Sequence, residues 1–345
     1  MIMAWKEMKR SKAKFMILGS IVFLVSLLTF LISGLANGLS QDNSALIKDL
    51  PDGRFYMDKD AEGTYSFSRI EPAAQEAAIK EGNGAAALSI QMGFVVDKNG
   101  RQHGAAFVAS TESEQFFRSK PGEIVLDRSL EKEGIQIGDR LTNRQSDGEW
   151  TVTGFVDGKK FSHAPVAYIA VEDYQSMYRA EGMQMLFVPD KDGLKTVPDG
   201  LQAYSNKQFL DSIPSYKAEQ MSLNMMIWFL IVISGMLFAI FFYMMNVQKI
   251  GLYGILKAIG VRTSTLFGMI WTQMLIVTVA ALALSILLSQ LFDLFGPEGM
   301  PFQLTLNATV MLSLLFLVIG LLGATLSGWQ IRKVEPLTAI QQGEV

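Results

Sequence analysis

The chain has 345 residues, half of them hydrophobic and 18% charged, with a formal net charge of −3. That balance is too apolar for a soluble globule and too polar for a chain wholly immersed in lipid, so the apolar residues must be gathered into segments. Cysteine is absent, which excludes disulfides, thiolate metal sites and cysteine nucleophiles.

In chain order, residues 1–14 carry Lys6, Lys9, Arg10, Lys12 and Lys14 against the single acid Glu7. A first apolar window follows, Phe15 to Leu35. Three more crowd the last third: Leu223 to Tyr243, Leu266 to Leu288 and Ala308 to Leu326, and none of the four contains Asp, Glu, Lys or Arg. Crossing a hydrocarbon core of ~30 Å takes roughly 20 predominantly apolar residues, so each window is long enough to span. The first exceeds the roughly 7–15 apolar residues of a signal-peptide core and is expected to be a retained helix. Without charged residues in the spans there is no proton relay, which argues against an ion-driven pump.

Between the first and second windows, residues 38–220 break into short segments bounded by Gly, Pro, Asp and Asn, and acids outnumber bases. This texture predicts an α+β domain. Strands are expected at 64–70, 86–96, 105–109, 123–126, 150–156, 167–171 and 185–188, and helices at 72–81, 110–118, 128–133 and 171–179. The acidic string Asp58, Asp60 and Glu62 lacks the glycine and distal glutamate of a calcium loop and reads as a solvated turn. His103 and His163 are far apart and read as surface residues, so no metal site is expected. Nothing resembles a Gly-x-Ser-x-Gly elbow, a His-Glu-x-x-His pair or a matched acid and base, and the chain is expected not to be an enzyme. No nucleic-acid partner is expected.

Basic residues in short flanking loops stay cytoplasmic. The loop after the second window has Lys249, Lys257 and Arg262 and no acid, and Arg332 and Lys333 follow the fourth, whereas the connection between windows three and four has Asp293 and Glu298 and no base. Both termini are therefore expected in the cytoplasm and the large domain outside the plasma membrane. The expected fold is an α-helical membrane protein with four transmembrane helices and an α+β extracytoplasmic domain inserted between helices 1 and 2. Its divisions are a basic cytoplasmic N-terminus (1–14), helix 1 (15–37), the outer domain (38–220), helix 2 (221–247), a cytoplasmic helix (248–264), helix 3 (265–289), an outer loop (290–305), helix 4 (306–328) and a cytoplasmic tail (329–345). The basic fringe suits anionic membrane lipid, but it is also the ordinary topogenic signal and by itself implies no specific lipid site.

In the cytoplasmic segment, Leu252, Ile255, Leu256 and Ile259 fall at i, i+3, i+4 and i+7, the stripe of a short amphipathic helix. Gly260 stands at its C-cap, and Thr263 or Ser264 can cap the helix that follows. From the stripe alone, an interfacial helix on the inner leaflet and a docking helix for a cytoplasmic partner are both open.

The run Lys249-Ile-Gly-Leu-Tyr-Gly-Ile-Leu-Lys-Ala-Ile-Gly260 resembles the signature of FtsX-like, MacB-type ABC transporter permeases. Arg332-Lys-Val-Glu-Pro-Leu-Thr-Ala-Ile340 is similar to that family's closing motif. Pro121-Gly-Glu-Ile-Val-Leu-Asp-Arg-Ser-Leu, Ile137-Gly-Asp-Arg-Leu and Trp150-Thr-Val-Thr-Gly-Phe resemble the core of its outer domain. The resemblance implies a homodimeric permease that docks two copies of an ATPase subunit through Lys249, Gly251, Leu252, Ile255, Leu256, Lys257, Ile259 and Gly260. ATP and magnesium would sit on that partner, and the chain itself has no Gly-x-x-x-x-Gly-Lys-Ser/Thr phosphate loop and is expected to bind no cofactor of its own. Ile250 stands where many relatives carry Glu, which makes docking depend more on apolar fit.

Within the family, Ser33 to Ser40 and Gln41 to Leu46 are similar to the haem-exporting permeases of Gram-positive bacteria, which implies haem as the leading cargo. Met221, Met225, Met226 and Trp228 offer thioether sulfur and an aromatic face to a porphyrin, or else serve as flexible packing and an interfacial anchor. Gly34 and Gly38, four apart, suit close packing of two first spans across a dimer axis. The expected function is a non-catalytic permease subunit coupling a separate ATPase to efflux of an amphipathic substrate. The alternative is a mechanotransmitting subunit that regulates an extracytoplasmic partner and moves nothing.

Overall fold

The computed structural model describes residues 2–81, 84–111, 113, 115–143, 148–190, 197–297 and 300–332. From the N-terminus, α1 (Ile2–Arg10) and α2 (Lys12–Lys48) lead to β1 (Gly53–Asp58), α3 (Pro72–Glu81), β2 (Ala86–Val96), β3 (Gln102–Ser110), β4 (Glu123–Asp127), α4 (Ser129–Lys132) and β5 (Arg140–Asn143). Then come β6 (Gly148–Val156), β7 (Lys160–Phe161), β8 (Ala164–Ile169), α5 (Val171–Tyr178), β9 (Met185–Pro189), β10 (Leu201–Ser205) and α6 (Asn206–Ser212). The chain closes with α7 (Pro214–Val247), α8 (Ile250–Ala258), α9 (Thr263–Phe295) and α10 (Leu306–Arg332). It divides into a helical unit, Met1–Gly38 with Met221–Val345, and a sheet-bearing unit, Leu39–Gln220.

In the helical unit, α2, α7, α9 and α10 are each long and apolar enough to cross a membrane. Helices satisfy their own backbone, which is what a lipid solvent demands. Their inward faces form one core around Phe30, Phe238, Phe242, Ile270, Met274 and Phe316. The break between α1 and α2 falls at Ser11, and α2 itself carries a non-helical residue at Ser44 (φ −143°, ψ 15°).

The sheet-bearing unit is built on strands ordered β10-β1-β9-β2-β3-β8-β4-β6-β5, with β7 pairing β8 and β5 touching β2 at Thr142 and Val96. Alternation along a strand divides its side chains between two cores. On β3, Ala105, Phe107 and Ala109 enter one core with Trp150 and Tyr174, and Ala106 and Val108 enter the other with Phe55, Phe187 and Phe209. Both faces are covered, the first by α3 and α5 and the second by the end of α2 and α6, so β9 is buried at every position and reads as a continuous apolar run. The tight turn at Ser162 and His163, both with positive φ, holds the last turns of α2. The Ser162 amide donates to the Asn43 carbonyl at 2.7 Å, and His163 lies between Asp42 and Glu219.

Several expectations are corrected here. Residues 64–70 are successive turns, not a strand, because the Ser68 hydroxyl takes the bonds a neighbouring strand would have made, accepting from the Asp58 amide and donating to the Gln184 carbonyl. Residues 110–118 form no helix where described: Ser110 ends β3, and the Ser113 hydroxyl accepts from the amides of Gln115 and Phe116, a local turn that competes with helix. Strands β1, β5 and β10 and helix α6 were not anticipated. His103 is no surface residue; it lies buried on β3, with Nδ1 2.5 Å from Glu133 and Nε2 3.4 Å from Asp97. The acidic string is a turn, in which Asp58 accepts from the Asp60 amide at the head of a short 3-10 segment.

Candidate coupling site

The segment after α7 turns at Lys249 and runs as α8 to Ala258. Gly260 ends it in the left-handed region (φ 91°), with its amide on the Lys257 carbonyl and that of Val261 on the Leu256 carbonyl. This closure satisfies the last helical carbonyls and strains any residue with a side chain, which explains the glycine. Arg262, rather than Thr263 or Ser264, occupies the N-cap of α9, and it makes no side-chain capping bond.

The apolar stripe on α8 divides between two surfaces. Leu256 is 8% exposed and joins Tyr253 in the helical core, whereas Leu252, Ile255 and Ile259 are 47%, 52% and 72% exposed. The stripe was expected to be one outward face. Leu256 is turned in because Tyr253, three residues earlier, anchors that side. The Tyr253 hydroxyl donates to Asn246 Oδ1 at 3.0 Å, and Asn246 Nδ2 donates to Ser327 Oγ of α10 at 2.7 Å. Burial, with Glu7 nearby, pushes the Tyr253 phenol well above its ordinary range, so it stays a donor.

Lys249 belongs to the same underside. Its ammonium pairs with Glu7 of α1, both side chains being largely buried, and lies 5.7 Å from the Phe15 ring centre. Glu7 also accepts from Gln273 Nε2 of α9 at 2.8 Å. Lys249 and Leu256 therefore position α8 and are not available to a partner, a correction to their expected role. Gly251 meets no neighbour within 4 Å where a Cβ would stand, and Lys257 is half-buried. Sequence reasoning missed Glu7, Asn246, Tyr253, Gln273 and Ser327. The available signal was polarity out of place: one acid in a basic leader, and one glutamine within an apolar window.

The remaining candidates are scattered. Met221, Met225, Met226 and Trp228 are all exposed on α7. The first, second and fourth share one face at i, i+4 and i+7, and Met226 points elsewhere. Gly34 and Gly38 are engaged within the chain: a Cβ at Gly34 would come within 2.3 Å of the Phe302 ring, and one at Gly38 within 2.2 Å of the Pro301 carbonyl. The Gln303 amide adds a 2.9 Å bond to the Gly34 carbonyl. That face is filled by the segment before α10, so it does not offer a small-residue surface to a second copy. Of the closing motif, residues 333–340 lie outside the described residues, as does Glu298.

Residues 224–336, which contain α8, α9, α10 and most of α7, match the family described as FtsX-like permease C-terminal. Over these residues the chain is similar to FtsX-like permeases. The permease is 28% identical over 352 residues, 99% of each chain, to a Staphylococcus haemolyticus protein named as a hemin transport system permease, HrtB. A Staphylococcus epidermidis protein of the same name is 26% identical over the full length of both. Among solved structures, the periplasmic region of MacB from Actinobacillus actinomycetemcomitans matches 47% of this chain and 92% of its own at 10% identity and a TM-score of 0.35. The permease is a multi-pass membrane protein with an α+β domain between its first and second spanning helices, and its class is that of ABC transporter permease subunits, which work with an ATPase partner.

Proposed function

We propose that the permease is the membrane subunit of an ATP-driven exporter and that the outward face of α8, formed by Leu252, Ile255 and Ile259, is seated in an ATPase subunit supplied by another chain. The observation that carries this reading is the split of α8. Three large apolar side chains stand exposed on a short helix outside the spans, while Tyr253, Leu256 and the Lys249–Glu7 pair hold its other side against the helical unit. A helix so braced can transmit force, which a helix resting loosely on a bilayer cannot. The exporter comprises two copies of the permease and two ATPases, with both termini of the permease cytoplasmic and the sheet-bearing unit outside, as the loop charges favour. ATP and magnesium belong to the ATPase. The cargo is an amphipathic compound; haem leads because the full-length relatives carry hemin transport in their names.

Ile255→Asp tests the docking face without touching the core, since an exposed substitution changes stability by only about 0.5 kcal/mol. The expected result is a permease that inserts and melts normally, loses co-purification with its ATPase and leaves cells sensitive to hemin. Full ATPase recovery with full hemin tolerance would sink the assignment, and a cell-wall defect without hemin sensitivity would favour the mechanotransmitting alternative. Because the chain lacks cysteine, a single Lys132→Cys at an exposed position of α4 reports orientation by its labelling with a membrane-impermeant maleimide in intact cells.

A further inference from the structure

The helical unit has an open groove of about 590 Å³ where α1 and the start of α2 run beside α9. Its walls are apolar, with Phe15, Gly19 and Phe23 on one side and Val277, Ala281 and Leu284 on the other. One end is different. Lys9 and Lys12, at i and i+3 across the α1–α2 break, line it together with Trp5, whose ring lies 5.5 Å from the Lys9 ammonium. Among the described residues no carboxylate pairs with either lysine, whereas the neighbouring Lys249 is neutralised by Glu7. A groove with a long apolar floor and two uncompensated cations at its mouth is complementary to one kind of membrane molecule.

We infer that this groove is a binding site for an anionic phospholipid, with one acyl chain laid between α2 and α9 and the phosphate held by Lys9 and Lys12. The placement of Trp5 fits this arrangement, since an indole is at home where acyl chain meets head group. Basic side chains at that depth attract anionic head groups, and their stems lie on apolar surface while the ammonium reaches the phosphate. Gly19 keeps the floor open: a Cβ there would meet only Val277 Cγ1 at 3.7 Å, so the helix has room for a larger residue and the groove would be what it fills. The proposed topology supplies only the leaflet, the inner one; the site itself stands without it.

The test uses the full-length permease alone, without ATPase, in nanodiscs of equal parts phosphatidylglycerol and phosphatidylcholine, followed by native mass spectrometry. Wild type is expected to retain phosphatidylglycerol over phosphatidylcholine by roughly tenfold or more, the scale that two basic side chains set. Lys9→Gln with Lys12→Gln should bring the ratio close to that of the bilayer, and Gly19→Leu should remove the retained lipid while the melting temperature holds. Wild type carrying the two lipids in bilayer proportion would overturn the inference, as would a lysine double variant with undiminished preference. So would displacement of the retained lipid from wild type by added hemin, which would make the groove a cargo site. Loss of ATPase docking in Ile255→Asp leaves each of these outcomes unchanged, so this inference and the coupling assignment fail separately.

Discussion

The two units of the permease bury apolar side chains under opposite rules. In the sheet-bearing unit both faces of the strands are covered, and few large apolar side chains remain outside, Phe67, Met92, Phe117 and Ile137 among them. In the helical unit the same residue types stand outward along every span, as Phe229, Val232, Met236 and Ile240 do on α7. Polar groups differ correspondingly. Hydroxyls on the spans bond back one turn, Ser234 to the Leu230 carbonyl and Thr272 to that of Gly268, whereas Ser68 and Asp97 in the sheet-bearing unit organise loops. Water rewards covering a phenyl ring and lipid does not, so one sequence supports two surface chemistries.

The sharpest way to break this comparison is to truncate the same residue type in each unit. Phe107→Ala empties the centre of a sheet core and should cost roughly 3–5 kcal/mol, whereas Phe229→Ala on the lipid-facing side should stay within about 0.5 kcal/mol. Thermal melts of the two variants in one detergent decide it, and equal losses would contradict the burial pattern.

In the helical unit, burial is decisive for the Lys249–Glu7 pair. Glu7→Ala strands the Lys249 ammonium under α8 and should cost about 3–5 kcal/mol, more than any exposed pair, with loosening of α8 visible as faster amide exchange. Exchanging the charges, Glu7→Lys with Lys249→Glu, should recover most of the loss. The Gln273 amide can turn over to accept, and its Oε1 at present lacks a partner. A double variant as unstable as the single would show that the pair is not what holds the helix.

The smallest effect is expected in acid, at the β2–β3 turn. The Arg101 amide, with help from His103 and Asn99, holds the Asp97 carboxyl below its ordinary range, and the Lys98 ammonium does the same for Asp139. A lowered folded value means that the stabilisation is complete above the unfolded value of about 4 and is lost as pH falls through the lower one. Melting between pH 7 and pH 3 should therefore fall slightly less for Asp97→Asn than for wild type.

What was legible in the sequence followed from solvent. Windows of uncharged residues gave the four spans, and segments rich in β-branched and aromatic residues gave β2, β3, β4, β6 and β9 between the first and second. The i, i+3, i+4, i+7 stripe found the apolar residues of α8 but not which of them face inward, because that depends on Tyr253 reaching Asn246 of α7, which in turn bonds Ser327 of α10. Ser68 and Ser113 each replace regular backbone bonds with bonds to their own hydroxyl, Ser68 by reaching the distant Gln184 carbonyl and Ser113 within a local turn.

Ile255 and Leu256 are adjacent in sequence yet lie on different sides of α8, one exposed and the other in the subunit's own interior. On the docking assignment, the residues that address the motor are therefore separable from those that seat the lever. Exchanging only Leu252, Ile255 and Ile259 for another permease's equivalents should redirect the subunit to that permease's engine with its scaffold intact, so that pairing in a cell with several such machines comes down to three side chains.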